Sequence, residues 1–178
     1  QEPAAARAPP VAIRLLDGRV LKASDLRGKV VVKLFWASWS PASVTALGTL
    51  EQLQAAHEAE GLTVVALSID ENERDARVSA RSHGHRVPVA MRSDAVFERY
   101  GRVEQTPVYL LIDRSGAVRE RVAGPVATAK LEPRVRAARG AAAGEAERIG
   151  TEDTRGRDEQ RRVLVGRSRG GVRRRGPR

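Results

Sequence analysis

The sequence predicts an α/β domain with a central mixed sheet flanked by helices and an N-terminal β-hairpin extension. Three observations carry this. Two near-continuous apolar runs rich in β-branched residues, Val30–Trp36 (VVVKLFW) and 62–69 (LTVVALSI), read as strands covered on both faces. A segment with helix start and stop signals separates them, and strand–helix–strand order favours parallel pairing through a crossover. A further run, Val108–Ile112, is followed by the turn Asp113-Arg114-Ser115-Gly116 and a returning segment at 117–122, so the sheet closes with an antiparallel pair.

The elements follow in order. Residues 11–16 and 19–24 flank Asp17-Gly18, a hairpin turn signal. Lys33 interrupts the first apolar run; a buried ammonium is costly unless its stem packs and its head finds a partner or the sheet end. Ser40-Pro41 opens a helix, since Ser is a favoured N-cap and Pro suits the first helical position. Val44, Leu47, Leu50 and Leu53 give that helix an apolar stripe, and Gly61 stops it. A polar helix is expected at 71–82, closed by Gly84, with Asp70, Glu71, Glu73 and Asp75 on a solvated start that complements the helix dipole. A short strand is expected at 87–91 and a short helical stretch at 95–100, capped by Asp94 and closed by Gly101. A last helix should follow Gly124-Pro125, with Pro133 delaying its start or kinking it.

The domain organisation is therefore an Ala/Pro-rich arm at 1–10, a folded domain at 11–140 and an Arg-rich tail at 141–178, both ends expected to be disordered. The chain begins with Gln, as a chain trimmed by signal cleavage or cut from a longer sequence would. Of the formal charge of +10, the tail supplies half: eleven Arg against six acids. Such a tail offers weak anion binding, but it has no aromatic residue to stack on bases. A misassigned reading frame in GC-rich coding sequence is the other account of it. No run approaches the ~18 apolar residues that a membrane span requires.

The chain has no cysteine. That excludes disulfides, zinc–thiolate sites, iron–sulfur clusters and thiol catalysis. The absence gains meaning at Phe35-Trp36-Ala37-Ser38-Trp39-Ser40-Pro41-Ala42-Ser43. This segment resembles the active-site motif F-W-A-[ST]-W-C-x-x-C of thioredoxin-like proteins of the TlpA/ResA type, with Ser40 and Ser43 at the two cysteine positions. The family often places proline just before the second cysteine; here that position is Ala42 and the proline is Pro41. The lead-in from Ser24 to Val31 and the segment from Gln105 to Gly116 are similar to the family's strand entry and cis-proline loop. The three matches lie in order over roughly residues 11–125.

The resemblance implies a thioredoxin-like fold, a thiol–disulfide oxidoreductase ancestry and a periplasmic or otherwise exported location. It implies a cis-proline at Pro107 and a groove built by Trp39, Pro41, Ala42, Thr106 and Pro107 that pairs with extended protein or peptide segments. It implies no cofactor. In such a site the first sulfur sits at a helix N-terminus, where the dipole and free N–H groups favour thiolate. That thiolate attacks a disulfide, and the second sulfur resolves the mixed disulfide. A serine hydroxyl does neither, so Ser40 and Ser43 are not expected to be competent. An engineered Cys→Ser pair and a natural degenerate member both fit the sequence.

Three functional readings follow. The chain is a redox-inactive member of that family, or a non-catalytic binding or chaperone-like module using the groove, or a basic accessory protein acting through its tail. Ser40 as an activated nucleophile requires a base, and the N-cap role is the simpler one. Trp36 reads as core and Trp39 as a partner contact. His57 falls on the polar side of its helix with no special role. His83-Gly84-His85, with no third ligand nearby, reads as a solvated helix end, so no metal site is expected.

Overall fold

A computed structural model describes residues 12–94, 96, 101, 103 and 105–140 of the chain. The N-terminal arm, most of the 95–100 stretch and the Arg-rich tail lie outside the described residues; Val96 within the stretch and Asp94 before it are helical.

Five strands form one mixed sheet: β3 (Val30–Trp36), β4 (Leu62–Ser68), β5 (Val89–Met91), β6 (Val108–Ile112) and β7 (Val118–Ala123). Their spatial order is β5-β4-β3-β6-β7. β3 pairs in parallel with β4, and β4 with β5, while β6 runs antiparallel to both β3 and β7. All seven residues of β3 are buried, as a central strand's should be.

The two faces have separate cores. On one, Val30, Val32, Leu34 and Trp36 pack with Leu47, Leu50 and Leu53 of α2 (Pro41–His57), Ala76 and Ala80 of α3 (Glu73–Ser82), and Leu131 and Val135 of α4 (Thr128–Gly140). On the other, Phe35, Val65, Leu67, Val108 and Leu110 pack with Ile13, Leu15, Ala90 and Val96. Each fully buried Leu or Phe contributes about 1.5–3 kcal/mol of transfer free energy. Lys33 lies on the second face, buried between the paired Val65 and Leu110.

Several local expectations are corrected. The hairpin is short: β1 (Ile13–Arg14) and β2 (Val20–Leu21) are antiparallel, joined through Asp17-Gly18 with Gly18 at φ +91°. The chain after β2 turns into a helical turn, α1 (Ala23–Leu26), because the Asp25 carboxylate reaches back and accepts the Lys22 N–H at 2.8 Å. The hairpin closes the β5 edge, where Leu15 bridges Ala90 and the Leu16 N–H donates to the Val89 carbonyl at 2.7 Å. α4 begins at Thr128 and runs through Pro133 rather than starting beyond it. Pro133 is exposed, while Leu131, Val135 and Ala138 are buried, so the packed face holds the helix across the missing N–H.

Candidate functional site

The site grows from the end of β3. Phe35 pairs with Val108, so the turn that follows Trp36 and the Thr106–Pro107 segment before β6 leave the same end of adjacent strands. The Thr106–Pro107 peptide bond is cis. Between β3 and α2 the chain turns through Ala37–Ser40, closed by the Ser40 N–H donating to the Ala37 carbonyl at 3.2 Å.

Ser40 is the N-cap of α2. Its backbone is extended (φ −104°, ψ 108°), and its hydroxyl accepts the Ser43 N–H at 3.3 Å. Pro41 occupies the first helical position. Among the described residues, the Ser40 hydroxyl is engaged with a backbone N–H and no base that would activate it is hydrogen-bonded to it. Ser43 is fully buried on the core face, in the helical row that continues through Ala46, Leu47, Leu50 and Leu53. Its Oγ has no hydrogen-bond partner among the described residues, and the same holds for the buried Oγ1 of Thr106. A buried hydroxyl without a partner costs roughly 1–3 kcal/mol. A sulfur in that place would bring little such cost, since it packs as a small hydrophobe.

Asp70 is the residue that sequence reasoning misplaced. It is buried rather than on a solvated helix start. Its carboxylate accepts the Ser38 N–H (3.2 and 3.1 Å), the Ser38 hydroxyl (2.8 Å) and the Ser68 hydroxyl (2.6 Å). Ser68 Oγ in turn accepts the Asp70 N–H at 3.0 Å. The motif turn is therefore tied to the end of β4 by a carboxylate whose hydrogen bonds bridge 32 residues of sequence. α3 begins later than expected, at Glu73, with the Asn72 side chain accepting the Arg74 N–H at 2.9 Å. The available signal was Ser68-x-Asp70 at the C-terminal end of a buried strand.

Trp39 stands 69% exposed beside the motif, while Trp36 is fully buried. Trp39 and Pro41 line a surface cleft of about 580 Å³ together with Val44, Thr45 and Gly48 of α2 and His83 and His85 beyond α3. Ala42, Thr106 and Pro107 do not line this cleft. His57, read as polar-facing, is buried, with its Nδ1 3.3 Å from Glu60 Oε1. Deeper in, burial pushes the Tyr109 phenol up to about 12. Among the described residues, no group of three or more His, Asp or Glu side chains is arranged to hold a metal, and no helix is long and apolar enough to cross a membrane.

Known proteins resemble the chain over this same frame. The family model described as Redoxin matches residues 3–138. The thiol-disulfide oxidoreductase ResA of Bacillus thuringiensis (strain Al Hakam) is 28% identical over 126 residues, which are 70% of this chain and 72% of that protein. A solved structure from Chlorobium tepidum, described as a candidate thiol:disulfide interchange protein DsbE, is 32% identical, with a TM-score of 0.67 over 75% of this chain and 96% of that one. A second Chlorobium tepidum structure, a thioredoxin family protein, shares the fold with a TM-score of 0.69 at 23% identity, over 78% and 99% of the two chains.

Proposed function

The chain belongs to the redoxin family, in its thioredoxin-like TlpA/ResA-type branch of thiol-disulfide oxidoreductases, and from that premise we propose that it is a redox-silent member that binds extended polypeptide beside its motif. The observation that carries the reading is the pair Ser40 and Ser43. By the resemblance they stand at the two positions of the family's cysteines; one caps α2 and the other is buried on its core face, in a chain without a thiol. Thiol–disulfide exchange requires a thiolate to attack and a second sulfur to resolve. A hydroxyl already engaged as an N-cap supplies neither.

The fold retains what a binding role needs. Trp39 is a large, exposed aromatic beside Pro41, the kind of residue that dominates binding energy when a partner covers it. Ser38 and Asp70 hold the turn that presents it. Backbone pairing at the residue before Pro107 would add strand-like hydrogen bonds from an extended segment. The reading includes an exported location, in keeping with the resemblance.

The test is a titration of the full chain with alkylated insulin B chain, an extended segment without free thiols, followed by Trp39 fluorescence. Saturable binding is expected, and Trp39→Ala should weaken it about tenfold, or roughly 1.4 kcal/mol. Absence of saturable binding, or a Trp39→Ala variant that binds equally well by calorimetry, would contradict the reading.

A further inference from the structure

We propose that Gly48 sets the specificity of the cleft beside Trp39: its missing side chain opens a slot between α2 and His85 for one uncharged, apolar side chain of a bound polypeptide. The proposal rests on the binding role given above.

Residues three and four apart share one face of a helix. In α2 this spacing makes two rows. Ser43, Ala46, Leu47, Leu50 and Leu53 are buried on the core side. Pro41, Val44, Thr45 and Gly48 line the cleft.

Glycine is an unexpected member of the second row. In a helix interior it is disfavoured against alanine by roughly fivefold in the folding equilibrium, because it loses more backbone freedom. The fold supplies no reason for it. α2 runs on to His57, so Gly48 does not end the helix. Its φ is not in the left-handed region. A Cβ at Gly48 would lie 3.8 Å from His85 Cε1, an ordinary van der Waals contact, and among the described residues no other element comes within 4 Å. A methyl group would therefore fit the folded chain, and what it would reduce is the open space between α2 and the His85 ring.

The far wall of that space is fixed. His85 Nδ1 lies 3.1 Å from Glu51 Oε2, and Glu51 Oε1 accepts the Arg86 N–H at 2.5 Å. The His85 N–H donates to the Ala80 carbonyl at 3.1 Å. Glu51 belongs to α2, three residues after Gly48, so the ring is tied to the helix that carries the gap. The slot is thus formed before a ligand arrives, which spares the cost of ordering it on binding.

The lining sets the chemistry of the occupant. No Asp, Glu, Lys or Arg side chain lines the cleft, in a chain of which 30% of the residues are charged. A charged side chain entering the slot would give up water without meeting a counter-charge, whereas an apolar one gains by leaving water. Trp39, exposed on the same cleft, adds a large apolar face to the contact. An extended segment points alternate side chains to one side, so a single residue can enter while its neighbours stay solvated.

The experiment titrates the full chain and its Gly48→Ala and Gly48→Leu variants with alkylated insulin B chain by calorimetry, and follows the urea unfolding of each. Gly48→Ala should move the urea midpoint upward and weaken binding about threefold. Gly48→Leu fills the slot and should weaken binding about tenfold or more with unchanged circular dichroism. Acetylated nonapeptides of Ser and Thr with Leu, Glu or Lys at the centre then compete with the B chain, and the Leu peptide should displace it best. Native affinity in Gly48→Leu, while Trp39→Ala binds weakly, overturns this proposal and leaves the binding role standing. A downward midpoint shift in Gly48→Ala, or a Leu peptide that displaces no better than the other two, also overturns it. A native chain that does not bind the B chain overturns both.

Discussion

Ser40 and Ser43 share a residue type and differ in physical situation, so the same substitution should move stability in opposite directions. Ser40 caps α2, and Ser40→Ala should cost about 1 kcal/mol in denaturant unfolding. Ser43 Oγ is buried without a partner among the described residues, so Ser43→Ala should be neutral or stabilising by up to about 1 kcal/mol. Two losses of equal size would refute this distinction. Asp70 should be the most sensitive polar residue near the motif. Asp70→Ala strands the Ser38 N–H and two hydroxyls in a largely buried setting and should cost roughly 3 kcal/mol or more. Asp70→Asn retains the side chain's shape but offers one acceptor oxygen, so it should fall between Asp70→Ala and the native chain. The residue types at 40 and 43 and the exposure of Trp39 follow from the local sequence. The role of Asp70 does not, because its partner Ser38 lies 32 residues away and a carboxylate before a helix reads as a dipole complement.

At the scale of elements, the strands were the legible part. An unbroken apolar run has few ways to be buried except in a covered sheet, and β3, β4 and β6 lie where their runs are. The short elements were less so. α1 depends on one side chain reaching back from Asp25, and α4 crosses Pro133 because three buried residues outweigh one lost hydrogen bond. The β6–β7 turn supplies a pH-dependent element. Asp113 is buried at the turn, and burial alone would raise its pKa; hydrogen bonds from Ser115 and Arg119, with the Ala117 and Ser115 N–H groups, outweigh burial and hold it below the ordinary 3.8. The unfolded chain therefore takes up this proton at a higher pH than the folded chain. The stabilisation is complete above the ordinary carboxylate range and is lost as the pH falls through the lowered value. Acid titration of unfolding should show Asp113→Asn less stable than the native chain at neutral pH, with the difference shrinking below about pH 4. A difference constant with pH would rule out this linkage.

At the scale of the whole molecule, the chain combines a thioredoxin-like frame with a sequence that has no cysteine. The motif segment and the Thr106–Pro107 loop lie at one end of the sheet, and the strand entry leads into the opposite end of β3. The cleft joining Trp39 to His83 and His85 was not legible, since it depends on how α2 packs beside the end of α3, and the His85–Glu51 contact spans 34 residues. Placing cysteines at positions 40 and 43 is the decisive comparison. The Ser40→Cys/Ser43→Cys double variant and the native chain are compared for acceleration of insulin disulfide reduction over the uncatalysed rate, with circular dichroism to establish that both are folded. No acceleration is expected from the native chain and clear acceleration from the variant, whose new thiol at position 40 would sit at the N-terminus of α2 with its thiolate favoured. Acceleration by the native chain, or a folded variant that forms the 40–43 disulfide and remains inert, would contradict it.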